Sequence, residues 1–105
     1  MSVSTHVLDA VAGRPAAGVA VRLYAGDELV VRGVTDDDGR CRLAEGATAP
    51  GTHRLVFDTG AWFAARDVPT FYPEVTLTFA VADPAQHHHV PLLLSPFAYS
   101  TYRGS

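Results

Sequence analysis

Apolar and polar residues alternate along short segments of the chain, and Gly, Pro and Asp separate these segments. A period of two places successive side chains on opposite faces of a strand, so each segment is predicted to be a half-buried β-strand. Seven or eight such segments at regular spacing indicate an all-β antiparallel sandwich. The predicted strands are Val3–Asp9, Val19–Tyr24, Leu29–Thr35, Cys41–Leu43, Thr52–Phe57, Val75–Val81, His88–Leu94 and Ala98–Arg103.

Turns are predicted where Gly, Pro and Asp interrupt the alternation. Ala12–Gly18 and Ala25–Glu28 contain residues that set the backbone of turns and hairpins. In Asp36–Arg40 (DDDGR), aspartate side chains are expected to bond nearby backbone groups, and Gly39 is expected to supply a positive φ. These turns connect the strands without a long linker, which favours a compact sandwich.

One segment, Asp58–Arg66, is predicted to be a helix of about two turns. Asp58 or Thr59 is the candidate N-terminal cap. Arg66 at the other end suits the negative end of the helix dipole.

The strand that ends at Leu94 carries apolar residues on both faces. Its two faces are His88, Val90, Leu92 and Leu94, and His87, His89, Pro91 and Leu93. The first face is predicted to join the core. The second is too apolar for a solvated face, so it suggests an interface between subunits, where a pocket could form.

Composition narrows the class of protein. The 105 residues carry a net charge of −3 and are 48% hydrophobic, which is typical of one globular domain spanning 1–105. The absence of a basic stripe argues against nucleic-acid binding, and no apolar run is long enough for a membrane helix. A single cysteine and no visible signal peptide are consistent with a cytoplasmic protein.

His6 is the first candidate for chemistry, because histidine titrates near neutral pH and can act as a general base. It shares a strand face with Ser4 and Leu8, opposite the predicted core face of Val3 and Val7. On spacing alone, an ordinary surface histidine is the simpler interpretation at this position.

His87 and His89 are the second candidate, because an H-x-H pair in a strand projects from one face. With a distant third histidine, such a pair could bind zinc in a catalytic site. No carboxylate or cysteine lies nearby at ligand spacing, so solvated histidines at the start of a strand are the simpler interpretation.

Arg40 closes the DDDGR turn, and a rigid turn could present its guanidinium to a carboxylate or a developing oxyanion. The simpler interpretation is that Arg40 neutralises the three preceding aspartates. Cys41 is interpreted as a small apolar filler.

Four segments together carry a resemblance to a known family. They are STHVLDAVAGRPAAGVAVRLY, TDDDGR, FDTGAWFAAR with FYPEV, and HVPLLLSPFAYSTYRGS. The chain resembles the 5-hydroxyisourate hydrolases, the enzymatic members of the transthyretin family, from Ser4 to Ser105. The terminal YRGS is specific to the hydrolases. The resemblance implies two four-stranded sheets with one short helix, assembled as a homotetramer with active sites in a channel between dimers.

The resemblance also implies the chemistry and the residues of the site. The substrate would be 5-hydroxyisourate, hydrolysed without a metal or organic cofactor. The catalytic residues implied by the matching motifs are His6, Arg40, His89 and Ser105, with Tyr102 as the bulky residue that floors the site. The family's His-Tyr-His before Val-Pro is His-His-His in this chain. His88 therefore replaces the tyrosine, and its side chain is expected to point to the other face.

Two other functions are compatible with these residues. One is a non-catalytic carrier of small aromatic ligands, like the transthyretin hormone carrier. The other is a zinc-dependent hydrolase that uses His6, His87 and His89.

Overall fold

The strands form two sheets that enclose one hydrophobic core. The computed structural model describes residues 2–44 and 49–105. The elements in chain order are β1 (Ser2–Asp9), β2 (Arg14–Pro15), β3 (Ala20–Ala25), β4 (Glu28–Val34), β5 (Arg40–Ala44), β6 (Gly51–Phe57), α1 (Thr59–Ala64), β7 (Val75–Val81), β8 (His87–Leu94) and β9 (Tyr99–Thr101). The predicted all-β sandwich with one short helix is confirmed.

Strand number and direction differ from the expectation in the first sheet. The second sheet has four strands in the order β4-β3-β6-β7, all antiparallel. The first has five, in the order β2-β1-β8-β9 with β5 also paired to β1, and β1 and β8 run parallel. Alternation reports which face of a strand is buried and carries no information on the direction of its neighbour. The purely antiparallel prediction is therefore wrong for this pair.

The helix is shorter than predicted, because it ends at Ala64 rather than Arg66. Asp58 precedes it but makes no capping hydrogen bond through its side chain. Arg66 lies beyond the helix, where its guanidinium stacks 3.8 Å from the Trp62 ring centre and donates to the Trp62 carbonyl. Within the described residues, no helix is long and apolar enough to cross a membrane.

Both faces predicted to enter the core do so. In β1, Val3, Thr5 and Val7 are buried, whereas Ser4 and His6 are only half-buried. The buried face of β8 is His88, Val90, Leu92 and Leu94. The residues between them, such as His6 on β1 and His89 on β8, therefore lie on the opposite face of the sheet.

His88 lies inside the sandwich, as expected for a side chain on the core face of β8. It is 5% exposed, and its ring centre lies 6.3 Å from that of Phe79. Its Nδ1 lies 3.1 Å from the Gln86 carbonyl oxygen. Burial lowers the pKa of His88 below its ordinary value of 6.5, and the positive charge of Arg103 lowers it further.

Stability is therefore expected to decrease as the pH falls below 6.5. Unfolded His88 binds a proton in that range and native His88 resists it, so protons favour the unfolded chain. The decrease stops once native His88 is itself protonated. The measurement is the urea concentration at the midpoint of unfolding as a function of pH. His88→Phe, which has no titrating ring, should lose the part of the pH dependence that His88 causes. A variant whose midpoint keeps the wild-type pH dependence would contradict this prediction.

Candidate active site

β1 lies between β5 and β8, and this arrangement brings three predicted site residues together. His6 is directly opposite Arg40 on β5, and Ser4 is directly opposite His89 on β8. Paired residues on neighbouring strands project from the same face of a sheet, both in the antiparallel pair β1–β5 and in the parallel pair β1–β8. His6, Arg40 and His89 therefore share one face across three neighbouring strands.

The turn before β5 fixes the position of the Arg40 backbone. The Asp36 carboxylate accepts hydrogen bonds from the backbone N–H groups of Asp38 and Arg40, both at 2.9 Å. Gly39 has φ +75°, and a Cβ there would lie 2.4 Å from the Val7 carbonyl oxygen. The predicted turn chemistry is confirmed. Within the described part of the chain, no ion pair joins Arg40 to an aspartate.

His89 is held from two sides. The Ser4 hydroxyl is 2.8 Å from its Nδ1. The Gly104 N–H donates to the His89 carbonyl at 2.9 Å. A Cβ at Gly104 would lie 2.4 Å from Cδ2 of the His89 ring, so only glycine lets the C-terminal tail pack against the imidazole. The other ring nitrogen, Nε2, is the one left to act on a ligand.

A cavity of about 500 Å³ opens on this face. It is lined by Arg40, Cys41, His89 and Ser105, among others. Its size suits a small heterocyclic ligand. Tyr102 is 59% exposed and lines a second cavity of about 470 Å³, which shares His89 with the first.

Burial and neighbouring positive charge keep His89 neutral. Burial is the main cause that lowers the pKa of His89, and Arg40 adds to it, followed by His87 and His6. A neutral imidazole at pH 7 is the form that can accept a proton. By contrast, burial and then the Asp36 charge raise the pKa of the Cys41 thiol, so Cys41 is a poor nucleophile.

Ser4 and His87 are part of this constellation, although sequence reasoning gave Ser4 no role and favoured a solvated side chain for His87. His87 is exposed, but its Nε2 lies 3.0 Å from the Ser4 hydroxyl, and its ring stacks on His89 at 6.3 Å. Ser4 lies two residues before His6 and His87 two before His89, so spacing puts each on the same strand face as a candidate histidine, but it does not show that the two strands are neighbours. Among the described residues, no three His, Cys, Asp or Glu side chains are grouped to hold a metal ion.

Known proteins resemble the chain over nearly its whole length. The family model described as HIUase/Transthyretin family matches residues 3–104. A Rhizobium meliloti protein named 5-hydroxyisourate hydrolase 2 is 50% identical, covering 97% of this chain and 94% of its own length. The structure of Klebsiella pneumoniae 5-hydroxyisourate hydrolase is 36% identical with a TM-score of 0.93, covering 100% of both chains.

A transthyretin that was solved with a bound ligand shares the fold. Sea bream transthyretin in complex with thyroxine is 32% identical with a TM-score of 0.86, covering 97% of this chain and 93% of its own. The family model, the sequence identities and the structural similarity all cover nearly the full length of the chain and indicate the same family. The chain belongs to the HIUase/transthyretin family.

Proposed function

We propose that the protein hydrolyses 5-hydroxyisourate to 2-oxo-4-hydroxy-4-carboxy-5-ureidoimidazoline, a step of urate degradation. The observation that carries this proposal is the shared face of His6, Arg40 and His89 on three neighbouring strands, with Arg40 and His89 lining one small cavity. Relatives up to 50% identical are named for this hydrolysis, which supports the same substrate here.

The nucleophile is a water molecule that the two histidines activate. Water held between His6 and His89 loses a proton to His89 as it attacks the ring carbonyl. Burial and the Arg40 charge disfavour the imidazolium form of His89, so at neutral pH the base is ready to react. The C–O bond forms, and the ring C–N bond then breaks as its nitrogen accepts a proton.

Arg40 and the C-terminal tail hold the substrate. The Arg40 guanidinium stabilises the negative charge that develops on the attacked carbonyl oxygen. Ser105, which lines the same cavity, positions the substrate or relays a proton through its hydroxyl or its terminal carboxylate. Tyr102 acts as a bulky wall beside His89.

The protein is proposed to act as a homotetramer in which a second subunit covers the site. Large aromatic side chains support this assembly, because Phe97 is 68% and Tyr102 59% exposed in the isolated chain. Light scattering should give about four times the 11.2-kDa mass of the chain. A particle with the mass of one chain would contradict the assembly.

Isotope labelling tests the reaction type. Hydrolysis in ¹⁸O-water should place one ¹⁸O in the new carboxylate, at a rate proportional to enzyme concentration above the spontaneous background. Unlabelled product, or labelling that does not depend on enzyme concentration, would contradict a catalysed ring hydrolysis.

A carrier of small aromatic ligands is the second candidate, since sea bream transthyretin with thyroxine shares the fold. Arg40, His89 and Ser105 make the cavity of this chain polar, which favours hydrolysis over storage of an apolar ligand. Tight binding of an aromatic ligand without turnover would support the carrier.

A further inference from the structure

Four polar side chains form a hydrogen-bonded row that alternates between β1 and β8. The Ser2 hydroxyl contacts Nδ1 of His87, and Nε2 of His87 lies 3.0 Å from the Ser4 hydroxyl. The same hydroxyl lies 2.8 Å from Nδ1 of His89. The parallel register explains the row, because it places Ser2 opposite His87 and Ser4 opposite His89 on one face. The row starts at the exposed end of the strands and ends at the proposed base.

Each member of the row has one proton to share, so a continuous chain of donations along it can run in only two directions. If Nδ1–H of His89 donates to Ser4, the Ser4 hydroxyl donates to Nε2 of His87, and Nδ1–H of His87 donates to Ser2. Nε2 of His89 then has a free lone pair and can act as a base. If every bond reverses, Nε2 of His89 carries the proton and can act as an acid.

The hydrolysis needs both of these states of His89. Nε2 first accepts a proton from water and later must return one to the leaving nitrogen. An imidazolium between these steps would be partly buried and close to the Arg40 guanidinium, which is unfavourable. A row that reverses its bonds avoids that charge.

We propose that Ser2, His87, Ser4 and His89 form a proton relay, which lets His89 act as base and then as acid while its ring stays neutral. The inference rests on the proposed hydrolysis. As water attacks, its proton goes to Nε2 of His89. The Nδ1 proton of His89 goes to Ser4, the Ser4 hydroxyl proton to Nε2 of His87, and a proton leaves for solvent from the Nδ1–Ser2 end.

The return step balances the first. A proton enters from solvent at His87, each bond reverses again, and Nε2 of His89 protonates the leaving nitrogen as the C–N bond breaks. The net proton released is the one that the new carboxylic acid loses. In this scheme Ser4 and His87 are relay residues that act through His89.

The resting direction of the row can be measured without substrate, by ¹⁵N NMR of the histidine rings in the full chain. His89 is expected to carry its proton on Nδ1 at neutral pH. Ser4→Ala should add the tautomer protonated on Nε2, whereas Ser4→Thr, which keeps a hydroxyl, should not. A wild-type His89 protonated on Nε2, or a tautomer unaffected by Ser4→Ala, would overturn the relay whether or not the protein hydrolyses 5-hydroxyisourate.

Kinetics test whether the relay operates in turnover. Ser4→Ala and His87→Ala should each lower kcat about tenfold or more with little change in KM, as expected for lost proton transfer. The double variant should lose no more than the worse single variant, because both break one chain. Imidazole buffer should restore activity to His87→Ala, whose missing ring is at the exposed end, and Ser4→Thr should stay near wild type.

A matched control is Thr52→Ala, which removes an exposed hydroxyl from β6 in the other sheet. It should leave kcat unchanged. Wild-type kcat in His87→Ala, or losses in Ser4→Ala and His87→Ala that multiply in the double variant, would overturn the relay. Absence of turnover in the wild-type protein would instead overturn the proposed function, and the NMR result would still decide the direction of the row.

Discussion

Replacing His89 with alanine is expected to lower kcat by about 10²–10⁴-fold, the usual contribution of a general base. In the proposed mechanism the ring accepts the proton of the attacking water, and the Ser4 hydroxyl and the C-terminal tail hold it in place. His89→Gln keeps a polar side chain of similar size but cannot take the proton, so it should lose nearly as much. The measurement is kcat for 5-hydroxyisourate hydrolysis.

The His89 prediction needs evidence that the variant still folds. His89 is half-buried, and the stability of each variant can be compared with the wild type by thermal unfolding. A folded His89→Ala protein with near-native kcat would remove His89 from the mechanism. His6→Ala gives a second test, because the proposed mechanism has His6 hold the same water, so its loss should also lower kcat strongly.

Replacing Arg40 with alanine is expected to lower kcat by about 10²–10³-fold, as for the loss of one oxyanion donor. Arg40→Lys keeps the charge but loses the planar fork, so it should recover only part of the rate. Arg32→Ala is the matched control, because Arg32 is an exposed arginine on β4 of the other sheet. Equal effects at Arg40 and Arg32 would contradict the role of Arg40.

The same substitution should change the pH dependence of the reaction. Arg40 is one of the groups that lower the pKa of His89, so its removal should raise that pKa. The base would then be protonated at a higher pH, and the acidic limb of the kcat profile should move towards neutral pH. A limb that stays in place in Arg40→Ala would show that Arg40 does not act on the titrating group.

Alternation predicted the parts of the fold that depend on burial. It placed the apolar face of β8 in the core and left His6 on the opposite face of β1. It could not predict that β1 and β8 run parallel, because strand direction depends on chain connections rather than on side-chain order. The row from Ser2 to His89 exists only because of that parallel register.

The site was predictable only in part, because strand pairing brings its residues together. His6 and Arg40 lie 34 positions apart, and only the pairing of β1 with β5 makes them neighbours. The resemblance to the family pointed to both residues. Spacing alone favoured a surface histidine for His6 and neutralisation of the neighbouring aspartates for Arg40. The H-x-H spacing correctly put His87 and His89 on one face, but the hydroxyl of Ser4 between their rings could not be read from either strand alone.

The most direct test of the proposed function is the ultraviolet absorbance of freshly generated 5-hydroxyisourate, with and without the purified protein. The substrate decays without a catalyst, so the rate is compared with that background. We predict faster decay in proportion to protein concentration, abolished by His89→Ala. Decay at the background rate with folded wild-type protein would contradict the hydrolase and favour a carrier.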